Sequence, residues 1–319
     1  MPVNDTTEKR FESDIEAFFL SAAGGYTKCE DEYDPKFGLY PDTLIRFIQT
    51  SQPKAWQRFV NMNAVDPVRK FCTAFNNACD MDGILSVLRH GFKHRGVPFK
   101  VCYFMPESTL NQTDTENYKK NVFHCIRQWH YSADNKNSVD MILTVNGIPV
   151  FAFELKNQFT GQSVENAKRQ WKTDRDPREI CFQFNKRILA YFAVDLNQAW
   201  MTTKLAGDHT YFLPFNQGSN GPGVDGGAGN PQSKNGDYVT SYLWETVLQK
   251  DSFLDILQKF ISYQKEVKKI TLPDGKIRTD VAEKIIFPRY HQLDVVRKLI
   301  DHTKKNGTGH NYLIQHSAG

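Results

Sequence analysis

Two acids and a lysine near the middle of the chain form its clearest chemical pattern: Asp140, followed by Glu154-Leu155-Lys156. They sit in the stretch VDMILTVNGIPVFAFELK, residues 139–156, where two apolar runs flank Asn146-Gly147. Short runs rich in β-branched and aromatic residues read as strands, and Asn-Gly between them reads as a hairpin turn. A two-residue period puts Val150, Ala152, Glu154 and Lys156 on one face and Phe151, Phe153 and Leu155 on the other. The second face is expected to be core and the first to carry chemistry. Register then decides the site. A plain two-residue loop pairs Asp140 with Phe153 and turns it to the wrong face, whereas an extra loop residue or a bulge brings it to the Glu154 face. Carboxylates facing each other across strands repel, so a cation between them is expected. Mg²⁺, a hard ion with oxygen ligands, is the natural choice.

An acid on one strand and Glu-x-Lys on the next resembles the PD-(D/E)xK nuclease superfamily. The resemblance implies that Asp140, Glu154 and the Leu155 carbonyl hold Mg²⁺, while Lys156 orients the attacking water or neutralises charge in the transition state. The proline common before the first acid is absent, Ser138-Val139 standing there. Many such nucleases add a Gln-x-x-x-Tyr motif in the following helix. Here Gln170 is followed by Trp171, and no residue is assigned to that role. Glu-x-Lys alone is a cheap pattern: Glu266-Val267-Lys268 repeats it, with Asp251 upstream, in a polar run read as a solvated face.

The elements that must position these residues surround the hairpin. FESDIEAFFLSA, residues 11–22, has helical spacing with Phe11, Ile15, Phe18 and Phe19 on one face. Since the superfamily often adds an acid from its first helix to the metal site, Glu16 is the candidate there. WQRFVNMN and PVRKFCTAFNNACDMDGILSVLRHG read as helices, and FKVCYF, residues 99–104, as a third strand beside the hairpin. VENAKRQWKTDRDPRE reads as a helix ended by Pro177. Lys168, Lys172 and Arg175 recur there at i, i+4 and i+7, a basic stripe that reads as a solvated helix face or, next to this hairpin, as contacts to DNA phosphates. KRILAYFAVD and QAWMTTKL complete an α/β core. Residues 216–236 are glycine-rich, with no packed structure expected.

Composition sets bounds. With 319 residues, 40% of them hydrophobic, the chain can bury one full domain plus an appendage. A net charge of +4 excludes a whole-chain electrostatic clamp on nucleic acid. The six cysteines are scattered without a CxxC pair, as expected of reduced thiols in the cytoplasm. No apolar run is long enough to span a bilayer, so no membrane role is expected.

The C-terminal part narrows the resemblance. KEVKKITLPDGKIRTDVAEK reads as a linker. After it come PRYHQLDVV and NYLIQHSAG, a helix and then a strand running into a small-residue turn, as a phosphate-binding loop begins. Taken with Asp140 and Glu154-Leu155-Lys156, these segments look like the restriction (R) subunit of type I restriction-modification enzymes. That family carries a PD-(D/E)xK endonuclease domain, a mixed central sheet flanked by helices, ahead of a RecA-like superfamily 2 translocase. The implied layout is nuclease domain 1–265, linker 266–285 and the truncated start of the motor 286–319. Gln292 would read adenine in a Q-motif, and Gly319 would stand in an incomplete Walker loop. ATP hydrolysis is therefore expected only of a full-length protein. Implied partners are double-stranded DNA and the modification (methyltransferase) and specificity subunits. A non-catalytic docking module of nuclease fold is the alternative.

Overall fold

The computed structural model describes residues 8–107, 110–158, 161–218, 229–231, 238–271 and 277–314. The chain opens with α1 (Glu8–Phe19), whose Phe11, Ile15 and Phe19 are buried at a four-residue spacing. Helices α2 (Pro41–Ser51), α3 (Pro53–Met62) and α4 (Pro67–Asp82) each begin with proline, which is preset for a first helical turn. Asp66 caps α4 by accepting the Arg69 amide, and Gly83 separates α4 from α5 (Ile84–His90). A small hairpin, β1 (Phe92–His94) with β2 (Val97–Phe99), and α6 (Gln112–Lys119) follow.

The central sheet has six strands in chain order: β3 (Phe123–His130), β4 (Ser138–Val145), β5 (Ile148–Leu155), β6 (Ala190–Val194), β7 (Ala199–Thr202) and β8 (Leu213–Pro214). Only β5 and β6 run parallel. The crossover between them carries α7 (Val164–Thr173), as a parallel pair requires. After β8 come a π-helical turn Leu243–Val247, α8 (Lys250–Asp255) and a second π-helical turn Ile256–Phe260. The chain continues into β9 (Ser262–Thr271), β10 (Ile277–Ile286) and α9 (Tyr290–Asn306). Among the described residues no helix is long and apolar enough to cross a membrane. All six cysteines are free thiols, five of them buried.

Apolar clusters cover both faces of the sheet. Met141, Leu143, Phe151, Phe153 and Phe192 pack into the larger one with α1, α2, α4 and α8. Ile142, Ala152, Ala167, Trp171, Tyr191 and Ala193 form the other beneath α7. The face expected to be left for chemistry is thus a second core, because α7 lies across it. Its far end, beyond Ala152, holds Glu154 and Lys156.

The turn between β4 and β5 is a two-residue loop. Val145 pairs with Ile148, and Asn146 and Gly147 have φ of 51° and 79°. Buried Asn146 locks it: the side-chain oxygen accepts the Val122 amide at 2.7 Å and its amide donates to the Val101 carbonyl at 2.9 Å. A Cβ on Gly147 would stand 2.6 Å from the Tyr40 carbonyl oxygen. Gly147→Ala is therefore expected to cost roughly 1–3 kcal/mol, from left-handed strain plus a shift of the start of α2. A denaturant midpoint at unchanged slope checks it.

Three expectations are corrected. FKVCYF does not flank the hairpin: Phe99 ends β2, and β3 takes the neighbouring position. The stretch read as a linker is an antiparallel hairpin, β9 with β10, in register from Ser262↔Ile286 to Thr271↔Ile277. Glu266 and Lys268 point to one side of it, in ion pairs with Lys284 and with each other. Residues 311–314 form no strand, since no described strand lies alongside to pair with them. Much of the glycine-rich stretch 216–236 lies outside the described residues.

Candidate metal and active site

A β-bulge builds the site. Between β4 and β5 the register shifts after Leu143, so that Thr144 pairs with Pro149 but Leu143 with Phe151, leaving Val150 as the extra residue. Met141 then opposes Phe153, which puts Asp140 on the Glu154 side, near enough to act on its carboxyl. The two-residue loop alone would have failed; the bulge restores the shared face. Asp140 Oδ2 accepts the Leu155 amide at 2.7 Å. The Lys156 amide donates to the Val194 carbonyl at 2.9 Å, which ties the strand end to β6.

The three residues are buried, Glu154 completely. Glu154 Oε1 accepts from Arg175 Nε at 2.8 Å and from Nη2 at 2.6 Å. Its Oε2 is buried and has no hydrogen-bond partner among the described residues. Lys156 Nζ donates to Glu8 Oε1 at 2.7 Å and the Leu155 carbonyl at 3.0 Å, and lies 3.5 Å from Asp140 Oδ2. The ammonium thus occupies a cation position among oxygens. Burial pushes the Glu154 carboxyl well above the usual range, and nearby Asp140 adds to this against the pull of Arg175 and Lys156. For Lys156 burial pulls down, but Asp140, Glu8 and Glu154 outweigh it, so the amine is held above its ordinary value and stays charged.

Helix α1 adds further acids. Glu8, Glu12 and Asp140 each offer an oxygen lying within 4.8 Å of the others. Glu12 is buried and held by Arg127 Nη2 at 2.9 Å and by Gln128. Glu16, the acid expected from this helix, pairs with Arg127 Nη1 at 3.2 Å and is not in that group. The α1 acids grouped with Asp140 are Glu12 and Glu8, one and two turns earlier. Glu8, Glu12 and Glu16 share a face, and only the docking of Phe11, Ile15 and Phe19 decides which turn overlies β4.

The basic stripe does not exist as a surface. Lys168 lies over the Trp200 ring at 3.3 Å and pairs with Glu165 at 2.7 Å. Arg175 falls beyond the end of α7 and is buried on Glu154. Lys172 is left, half-buried. Gln292 caps α9, accepting the Arg289 amide at 2.9 Å, and Gly319 lies outside the described residues. Sequence reading passed over Glu8 and Glu12 and gave Arg175 a DNA-phosphate role in place of its contact with Glu154. For the α1 acids the four-residue spacing was the available signal; for Arg175 there was none beyond its place after α7.

The family model described as Type I restriction enzyme R protein N terminus matches residues 47–210, just over half of the 319-residue chain. The chain belongs to that family. No curated protein matches it. The span matched to the R protein N-terminus family contains Asp140, Glu154, Lys156 and Arg175, while Glu8 and Glu12 fall outside it. Within that family the six-stranded mixed sheet flanked by helices is a nuclease-like core.

The acids that lie close enough together to share an ion are Glu8, Glu12 and Asp140; Glu154 is not in that group, though its Oε2 has no hydrogen-bond partner among the described residues. Carboxylate oxygens of this kind fit a hard divalent cation. No sulfur or imidazole lies among them, which disfavours zinc and the softer metals.

Proposed function

We propose that this chain is the Mg²⁺-dependent DNA endonuclease region of a type I restriction enzyme R subunit. In the assembled enzyme it would hydrolyse phosphodiester bonds away from the recognition site after ATP-driven translocation. The modification and specificity subunits would supply methylation and sequence recognition. One observation carries the reading: the bulge at Val150 brings Asp140 to the Glu154 side, with the Lys156 ammonium 3.5 Å from Asp140 Oδ2, and the fully buried Glu154 has an Oε2 with no hydrogen-bond partner among the described residues. A buried carboxylate oxygen without a partner is costly, and a bound cation would offset that cost.

Asp140, Glu154 and the Leu155 carbonyl would hold the ion, with Glu8 and Glu12 near enough to ligate it or a water bound to it. Bound there, Mg²⁺ would lower the pKa of its water and draw off charge from the leaving oxygen. Lys156, held as an ammonium, is a donor and not a base at neutral pH. It would release the Leu155 carbonyl and turn its N–H groups toward the attacked phosphate, where negative charge grows as water adds to phosphorus and the P–O ester bond breaks.

The test is Lys156→Ala in the complete enzyme. DNA cleavage should fall about 10²–10³-fold, the usual loss for one transition-state donor, while translocation-linked ATP hydrolysis persists. Cleavage at the wild-type rate would overturn the proposal.

A further inference from the structure

Arg175 is built into the site and is more than a neighbour of it. It lies in the turn Asp174-Arg175-Asp176-Pro177 that follows α7, yet its side chain is 4% exposed. Nη2 donates to the Ser138 carbonyl at 2.7 Å as well as to Glu154, and Nη1 reaches the Asp174 carbonyl at 3.4 Å. The guanidinium also lies over the Tyr131 ring at 5.7 Å. Tyr131 in turn donates its hydroxyl to the Asp174 carbonyl at 3.2 Å. The arginine is therefore fixed from β4, from its own turn and from an aromatic face.

The way it meets Glu154 is unusual. A guanidinium commonly grips both oxygens of a carboxylate, one N–H to each. Here Nε and Nη2 both converge on Oε1, at 2.8 and 2.6 Å, and Oε2 receives nothing among the described residues. The carboxylate is held twice on one oxygen and bare on the other among the described residues.

Resting on the metal-site reading above, we infer that Arg175 is the positioning residue of the centre: by taking Oε1 it fixes the rotamer of Glu154 so that Oε2 alone is presented to the divalent cation. It touches neither metal nor DNA and acts through Glu154. Groups that orient metal ligands typically account for roughly 10–100-fold in affinity or activity. Lysine at this place keeps the charge but not the paired N–H geometry, so Arg175→Lys should restore only part of the loss.

The experiment is a Mn²⁺ titration of the chain followed by electron paramagnetic resonance, with wild type, Asp140→Ala, Glu154→Gln, Arg175→Gln, Arg175→Lys and the Arg175→Gln/Glu154→Gln double variant. Circular dichroism spectra set which variants are folded. Arg175→Gln should weaken Mn²⁺ binding at least about tenfold, Arg175→Lys should lie between it and wild type, and Arg175→Gln should add nothing once Glu154 is Gln. If Arg175→Gln does not fold, the Arg175→Lys result decides. Binding unchanged or tightened in the Arg175 variants, with Asp140→Ala still abolishing it, overturns the role of Arg175 and leaves the site standing. Binding undisturbed by Asp140→Ala overturns the site itself.

Discussion

Asp140→Ala in the complete restriction enzyme should abolish DNA cleavage, by about 10³-fold or more, and leave ATP hydrolysis intact. The magnitude follows from what is lost: several kcal/mol of charge stabilisation that a bound cation supplies, at about 1.4 kcal/mol per tenfold in rate. Asp140 also accepts the Leu155 amide at 2.7 Å and lies beside the Lys156 ammonium. Its removal therefore leaves a buried donor and a buried cation less satisfied, and some loss of stability accompanies the loss of activity. Asp140→Asn separates the effects. The amide keeps an acceptor oxygen for Leu155 but brings no charge to the ion, so cleavage should be lost with most of the stability retained. Normal cleavage by either variant contradicts the assignment. ATPase assay and gel cleavage on the same preparations provide the readout.

The second large effect is on stability. Trp171 is fully buried in α7, donates its indole N–H to the Phe192 carbonyl at 2.9 Å and meets the Tyr191 and Phe182 rings edge-on. Trp171→Ala should cost about 3–5 kcal/mol, from lost burial and the cavity left behind. Trp171→Phe keeps most of the packing but strands the Phe192 carbonyl, and should cost about 1–3 kcal/mol. Urea midpoints at constant slope measure both. Because α7 leads directly into the turn holding Arg175, the alanine variant should also weaken metal binding in the fraction that remains folded. The phenylalanine variant should not.

The site was more legible than its surroundings. Asn146-Gly147 announced the hairpin, and demanding that Asp140 and Glu154 share a face required either a longer loop or a bulge. The chain uses the bulge, at Val150. What could not be read is which segment lies beside which. FKVCYF has a strand's composition, yet β3 is joined to the chain near Thr27 by a bridge at His124 and takes the place next to β4. The β9–β10 hairpin was hidden by its charge: exposed Lys265, Glu266, Lys268 and Lys269 resemble a linker, although Asp274-Gly275 in the sequence between the strands is itself a hairpin signal. Arg175 was misread for a related reason. Its spacing after Lys168 and Lys172 reads as an outward basic stripe, and only the folded turn carries it inward onto Glu154. Glu12 was passed over for Glu16 because helical spacing fixes a face but not the turn that docks.

The most direct test of the central claim is to locate the ion. Crystals of the chain soaked in Mn²⁺ and measured at the manganese edge should give an anomalous peak between the carboxylates of Asp140 and Glu154, beside the Leu155 carbonyl, with Lys156 turned away from that carbonyl and Arg175 still on Glu154 Oε1. A peak confined to the exposed carboxylates of the β9–β10 hairpin, or no peak at saturating Mn²⁺, would contradict it.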